Sequence, residues 1–200
     1  MTIITMGRSS TGLWDSGFRH LEGLLRTLDS SLSSIHEQIK TAEACEVEII
    51  CEQGEYLIGV GFCAMQRYLF DVLQNIDTEA SYARKLGPKT QKGESVAQLI
   101  HAAANYWKHE PEWHIWLDKL RKDSQKTVDI ILQGKESADY PLADLLSELC
   151  GDKLLLVSCL PLLKEWRTAV WQHTTKKYIT AVVRCGLHQC TQSNLALRPV

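Results

Sequence analysis

From Phe18 onward the apolar residues recur at Phe18, Leu21, Leu25, Leu28, Leu32, Ile35, Ile39 and Ala42. Spacings that alternate three and four define a heptad seam, which predicts a long amphipathic helix over 18–42 that ends as Glu46 takes the next seam position. The cluster Asp29-Ser-Ser-Leu-Ser-Ser34 is poor helix material, because short polar side chains compete for backbone hydrogen bonds. It offers a point at which the run divides in two. A seam this short predicts packing in a bundle rather than a free-standing coiled coil. Its apolar residues exceed what a lone helix exposes, so a homodimer or a protein partner docked on the 18–42 helix is expected.

A second helical segment covers roughly 55–76, where Leu57, Val60, Phe62, Met65, Leu69, Val72 and Leu73 supply a wide apolar surface. Gly59 and Gly61 inside it predict the close approach of a neighbouring helix. Residues 77–94 are polar, with Gly87-Pro88 and Gly93, and read as an exposed connection. A third helix begins near Glu94 and runs towards His109; Pro111 suits the first turn of a fourth. Pro141 opens a short helix that Gly151 is placed to cap. A final helix spans about 153–184, with Pro161 either kinking it or starting its main part. The organisation expected is a flexible arm over 1–13, one helical-bundle domain over 14–184, and a polar tail over 185–200. Only Lys153–Val157 has a strand-like pattern, in a setting that favours helix. The fold class expected is all-α, a multi-helix bundle with a long N-terminal amphipathic helix.

Composition narrows the function. The 200 residues are 44% hydrophobic and 23% charged, enough for a real core. Lys plus Arg total 22 against 24 acidic residues, for a net charge of −2 and a pI of about 6.4. That balance excludes a dedicated polybasic nucleic-acid binder and leaves room for a local basic site. No run approaches the roughly 18 apolar residues of a membrane span, and the first ten lack the pattern of a secretory signal. The seven cysteines are odd in number and scattered, as expected of reduced thiols in the cytoplasm.

Candidate chemistry concentrates in Val96–His109. At about 100° per residue, Val96, Leu99, Ile100, Ala103, Tyr106 and Trp107 share one side of a helix, and Gln98, His101, Asn105, Lys108 and His109 the other. His101, Asn105 and His109 form an i, i+4, i+8 ladder. If Pro111 starts a helix, His109 and Lys108 lie beside its N-terminus, whose free N–H groups favour an anion and keep an imidazole neutral. His109 then becomes a candidate general base, and Lys108 a positive charge for a phosphate. Glu110 and Glu112 act in the opposite sense. The alternative reading of the ladder is the solvated face of an amphipathic helix.

Ala104-Asn-Tyr-Trp-Lys-His109, followed by Glu-Pro-Glu-Trp113, resembles the motif region of HEPN domains. These all-α domains are common in bacterial toxin–antitoxin and phage-defence systems. Many are metal-independent ribonucleases that carry Arg-x4–6-His with a polar residue after the Arg, and active members dimerise to build a composite site. On this resemblance His109 matches the family His and Asn105 the polar residue, while Ala104 stands where the Arg falls at the x4 spacing. Lys108 is the candidate substitute for that Arg; an inactive relative is the other outcome. The resemblance implies a catalytic set of His109, Asn105 and Lys108 in an RNA-targeting protein, with no cofactor. The missing Arg equally suits a non-enzymatic interaction protein such as an antitoxin, immunity protein or complex subunit.

The late helix interleaves Trp166, Arg167, Trp171, His173, Lys176, Lys177, Tyr178 and Arg184. Trp and cations at helical spacing can stack bases and hold phosphates, so Lys176 and Lys177 join His101 as candidate RNA contacts. Core Trp with snorkelling cations is the alternative. Neither His101, His109 and His114 nor Cys185, His188 and Cys190 has the paired spacing of a zinc site, so no metal is expected.

Overall fold

The seam that begins at Phe18 becomes one unbroken helix, α1 (Ser16–Thr41), in the computed structural model. The structure describes the backbone at 2–6, 10–74, 76, 78–113, 120–132, 138–151 and 154–193, with side chains from 15 to 176 of these. The serine cluster does not divide α1, because its polar groups find other partners. Ser33 donates to the Asp29 carbonyl at 2.8 Å, and the Asp29 carboxylate, itself buried, accepts from the Leu156 and Val157 N–H groups at 2.7 and 3.0 Å. A residue suspected of breaking its own helix thus caps the distant 3₁₀ turn Leu156–Cys159.

After a short turn, α2 (Ala44–Leu73) runs back along α1. It begins well before residue 55, and Glu46, the residue that ends the seam, accepts from the Glu43 N–H at 3.3 Å. α2 packs against α1, against α4 (Val96–Trp113) and against α6 (Pro141–Cys150), so it is the central helix of the bundle. Its two glycines are notches. A Cβ on Gly59 would lie 1.9 Å from the Trp107 indole, and one on Gly61 2.7 Å from Leu156. Glu55 on the same helix caps α6, accepting from the Leu142 and Ala143 N–H groups at 2.7 and 2.9 Å. Burial pushes the Glu55 carboxyl above its usual range, with these two bonds opposing.

The connection over 78–94 is exposed along much of its length, at Glu79, Ser81, Tyr82, Lys85, Lys89 and 91–93, but is pinned to the core at Ala83. It holds one helical turn, α3 (Ala80–Ala83), whose Ala83 carbonyl accepts from the buried Trp166 indole at 3.0 Å. Gly87, at φ +80°, passes so close that a Cβ would meet the Trp166 backbone at 2.7 Å. α5 (Lys122–Leu132) covers α4 and α6, and Gly151 caps α6 at φ +77°, as its position in the sequence implies. α7 (Leu160–Ser193) starts with Pro161 in its first turn and continues past 184, through residues expected to be tail.

Among the described residues the chain is therefore an all-α assembly of seven packed helices plus the 3₁₀ turn, preceded by one hairpin. In that hairpin β1 (Thr2–Met6) pairs antiparallel with β2 (Ser10–Trp14), Thr2 opposite Trp14. Within the arm expected over 1–13, β-branched Thr2-Ile-Ile-Thr5 favours a strand, although it lacks apolar alternation. No helix among the described residues is long and apolar enough to cross a membrane.

Candidate functional site

α4 does not stop before Pro111. It continues to Trp113, so the helix start expected at Pro111 is absent, and Val128 and Ile131, expected on that fourth helix, lie on the separate α5. Proline removes only one N–H, one turn from the helix end, and the Tyr106 and Trp113 rings meet edge-on at 5.3 Å across it. No helix begins at Pro111, and the anion-binding N-terminus expected beside Lys108 and His109 is therefore absent. The arrangement sought there exists at Pro141, where Glu55 already fills it.

The polar strip of α4 is organised by Gln66, a residue of α2 that is only 3% exposed. Its amide nitrogen lies 2.9 Å from Asn105 Oδ1, 3.1 Å from the His101 carbonyl and 3.0 Å from His101 Nδ1. Its amide oxygen accepts from Lys108 Nζ at 2.7 Å, which fixes the amide's orientation, since an ammonium group only donates. Asn105 Nδ2 lies 3.2 Å from His101 Nε2. Both ring nitrogens of His101 thus face amide donors. A neutral imidazole can accept at one of these two nitrogens, whereas an imidazolium, with two N–H groups, can accept at neither. Burial is the main cause that lowers the His101 pKa to about 4, and the charges of Arg84 and Lys108 add to it. Phe70 covers the ring edge-on at 5.7 Å. His101 is thus a half-buried connector between α2 and its own helix.

His109 stands apart from this network. Its side chain is 50% exposed at the last turn of α4, with Nδ1 3.4 Å from Glu112 Oε1. Ala104, the position where the family Arg would fall, is fully buried, and its carbonyl accepts from the Cys63 thiol at 3.7 Å. The structure therefore brings His101, Asn105 and Lys108 together around Gln66 and leaves His109 at the rim. Sequence reasoning missed Gln66, whose signal was an amide at helical spacing from Phe62 and Leu69 on the apolar side of α2.

On α7, Trp166 is a core residue and Arg167 pairs with Asp15 and Tyr68, so the interleaved pattern begins as packing. Asp15 is the N-cap of α1. Its carboxylate accepts from the Phe18 N–H at 3.0 Å, the Tyr68 hydroxyl at 2.7 Å and the Arg167 guanidinium, which also stacks over the Phe18 ring at 5.4 Å. Burial alone would raise the Asp15 carboxyl, but these three donors hold it below its ordinary value. Lys176 is exposed on α7. The side chains of Lys177, Tyr178, Arg184, Cys185, His188 and Cys190, and all of His114, lie outside the described residues. No group of metal-ligating side chains gathers among the described ones.

No protein-family model matches this chain, and no curated protein or solved structure matches it.

Proposed function

We propose that this chain is a helical interaction protein, and that its α4 strip, similar to a HEPN motif region, serves the fold instead of RNA cleavage. The observation that carries this reading is Gln66. It engages His101, Asn105 and Lys108, three of the four candidate site residues on α4, in one network between α2 and α4. The buried Ala104 adds to it, because an Arg there would point into the core and away from His109.

The surface this reading assigns to a partner is the far end of the α1–α2 pair. The seam of α1 is buried as far as Leu32, and beyond it Ile35 and Ile39 are only partly covered. Beside them Ile49 and Tyr56 are each 60% exposed around a hollow that Ile35 and Leu57 line. A two-fold interface needs one patch that offers both a projection and a hollow, which this end does, so the occupant proposed is a second copy of the chain. Sedimentation equilibrium at micromolar concentration is expected to give a dimer, and Ile49→Asp with Tyr56→Asp a monomer of unchanged helicity. A monomeric parent chain would overturn the assignment.

The second reading, a metal-independent endoribonuclease of bacterial defence or toxin–antitoxin type, draws on one observation. Glu112 sits at Nδ1 of the exposed His109, an arrangement that orients an imidazole and leaves Nε2 outward for acid–base chemistry. On that reading Asn105 and Lys108 position RNA, and Lys176 and Lys177 add affinity through charge. The interaction reading expects no RNA cleavage without metal, and His109→Ala changing stability by no more than about 0.5 kcal/mol. Cleavage lost in His109→Ala with melting unchanged would establish the ribonuclease instead.

A further inference from the structure

Cys150 ends α6 and Cys159 ends the 3₁₀ turn, and their sulfurs lie 3.2 Å apart although neither is in a disulfide. Between them φ is positive at Gly151 and at the non-glycine Leu154, 77° and 46°. The elements that carry the two cysteines are anchored from outside the loop: the Asp29 carboxylate fixes the start of the 3₁₀ turn, and Glu55 fixes the start of α6, the end opposite Cys150. The thiols are therefore placed together by the fold, not by each other. A disulfide needs about 2.05 Å between sulfurs, so closure takes little more than an ångström of side-chain movement.

We propose that Cys150 and Cys159 form an oxidisable dithiol, closed to a disulfide by a peroxide, that ties α6 to the start of α7. The two cysteines differ in the way such a pair requires. Cys150 is partly exposed, and its hydrogen bond with Cys159 holds it below the usual thiol value, against burial and the nearby Asp29. Cys159 is fully buried, and its bond to Cys150, burial and the charges of Cys150 and Asp29 push it well above that value. Cys150 is the attacking thiolate. It takes one oxygen of hydrogen peroxide as the O–O bond breaks, giving a sulfenic acid and hydroxide. The Cys159 sulfur then attacks the Cys150 sulfur, the S–O bond breaks, and the Cys159 proton leaves with the hydroxyl as water. Overall, two thiols and one peroxide give one disulfide and two waters. By contrast, Cys63 is committed as a donor to the Ala104 carbonyl, with its thiol raised by burial, and Cys45 is exposed.

The sequence supplies a direct readout, because Lys153 lies between the two cysteines and trypsin separates them into peptides 136–153 and 154–164. Folded protein treated with a modest excess of hydrogen peroxide, alkylated and digested, is expected to yield these two peptides joined and lighter by two hydrogens. In Cys159→Ala the same treatment should leave Cys150 as a sulfenic acid, trapped by a 1,3-dione several-fold more than in the parent chain. Unlinked peptides after treatment, or Cys150 oxidised no faster than Cys45, would overturn the proposal. The peptide map of the parent chain decides the matter even if the alanine variant does not fold.

Discussion

Gln66 and Tyr68 leave α2 two residues apart, about 200° around the helix, and each anchors a polar cluster against different neighbours. The Tyr68 cluster is centred on an anion. Asp15 gathers an N–H group, a hydroxyl and a guanidinium, and so ties α1, α2 and α7 through one carboxylate. The Gln66 cluster is centred on an amide. It ties only α2 and α4, and the charge it contains, Lys108, is a cation at its exposed lip. The first is closed electrostatically and built from residues far apart in the chain. The second is a hydrogen-bond zipper whose four-residue spacing gives it the look of a motif. Chemistry-bearing residue types on one helix face are therefore weak grounds for a site until the partner across the interface is known.

The contrast has measurable consequences. Asp15→Ala removes the carboxylate but leaves Arg167 and Tyr68 mostly enclosed, and is expected to cost about 3–5 kcal/mol of unfolding free energy in urea titrations. Gln66→Leu keeps the volume but strips Asn105 and Lys108 of a partner, and should cost about 1–3 kcal/mol. A cost for Gln66→Leu equal to that of Asp15→Ala would erase the distinction between the clusters. The smallest effect separates them by pH. His101 binds its proton at about 4 when folded, against an ordinary value of 6.5. The unfolded chain therefore takes up the proton first, and the His101 contribution to stability, whole at pH 7, declines from 6.5 down to 4. Asp15 is lowered from 3.8, so its contribution persists through that window and is lost only below it. Melting temperatures of the parent chain should fall between pH 6.5 and 4, and His101→Gln should flatten that slope. Asp15→Asn should leave the slope in place.

Much of the architecture is legible because helix seams are local. Phe18 to Leu32 and the cap at Gly151 each follow from residues within a few turns of one another, and the glycines at 59 and 61 mark notches even though the side chains that fill them, Trp107 and Leu156, are distant. The errors differ in cause. Asp29 reads as a helix breaker by local rules, but its partners, Leu156 and Val157, are distant in the chain; Pro111 reads as a helix start, but α4 passes through it to Trp113. The candidate site divides along the same line. The ladder on α4 was visible from its period. The amide that turns it inward lies 35 residues from His101 along the chain, on a helix whose pattern announces only its apolar face.

The carboxylates on the first two helices also set an order of events. Asp29 waits for partners 127 residues later, Asp15 for one 152 residues later, and Glu55 for α6, 87 residues on. Closing such separations is thermodynamically mild, since each doubling of a loop costs about 0.6 kcal/mol, but contacts so distant in sequence are slow to form. During synthesis from the N-terminus, the α1–α2 hairpin emerges with three acidic groups still solvated. It can be buried only when α6, the 3₁₀ turn and the first turns of α7 have left the ribosome. A chain stopped short of Leu156 is expected to keep that hairpin open, accessible to proteases along the face that carries Leu21, Leu25 and Leu28.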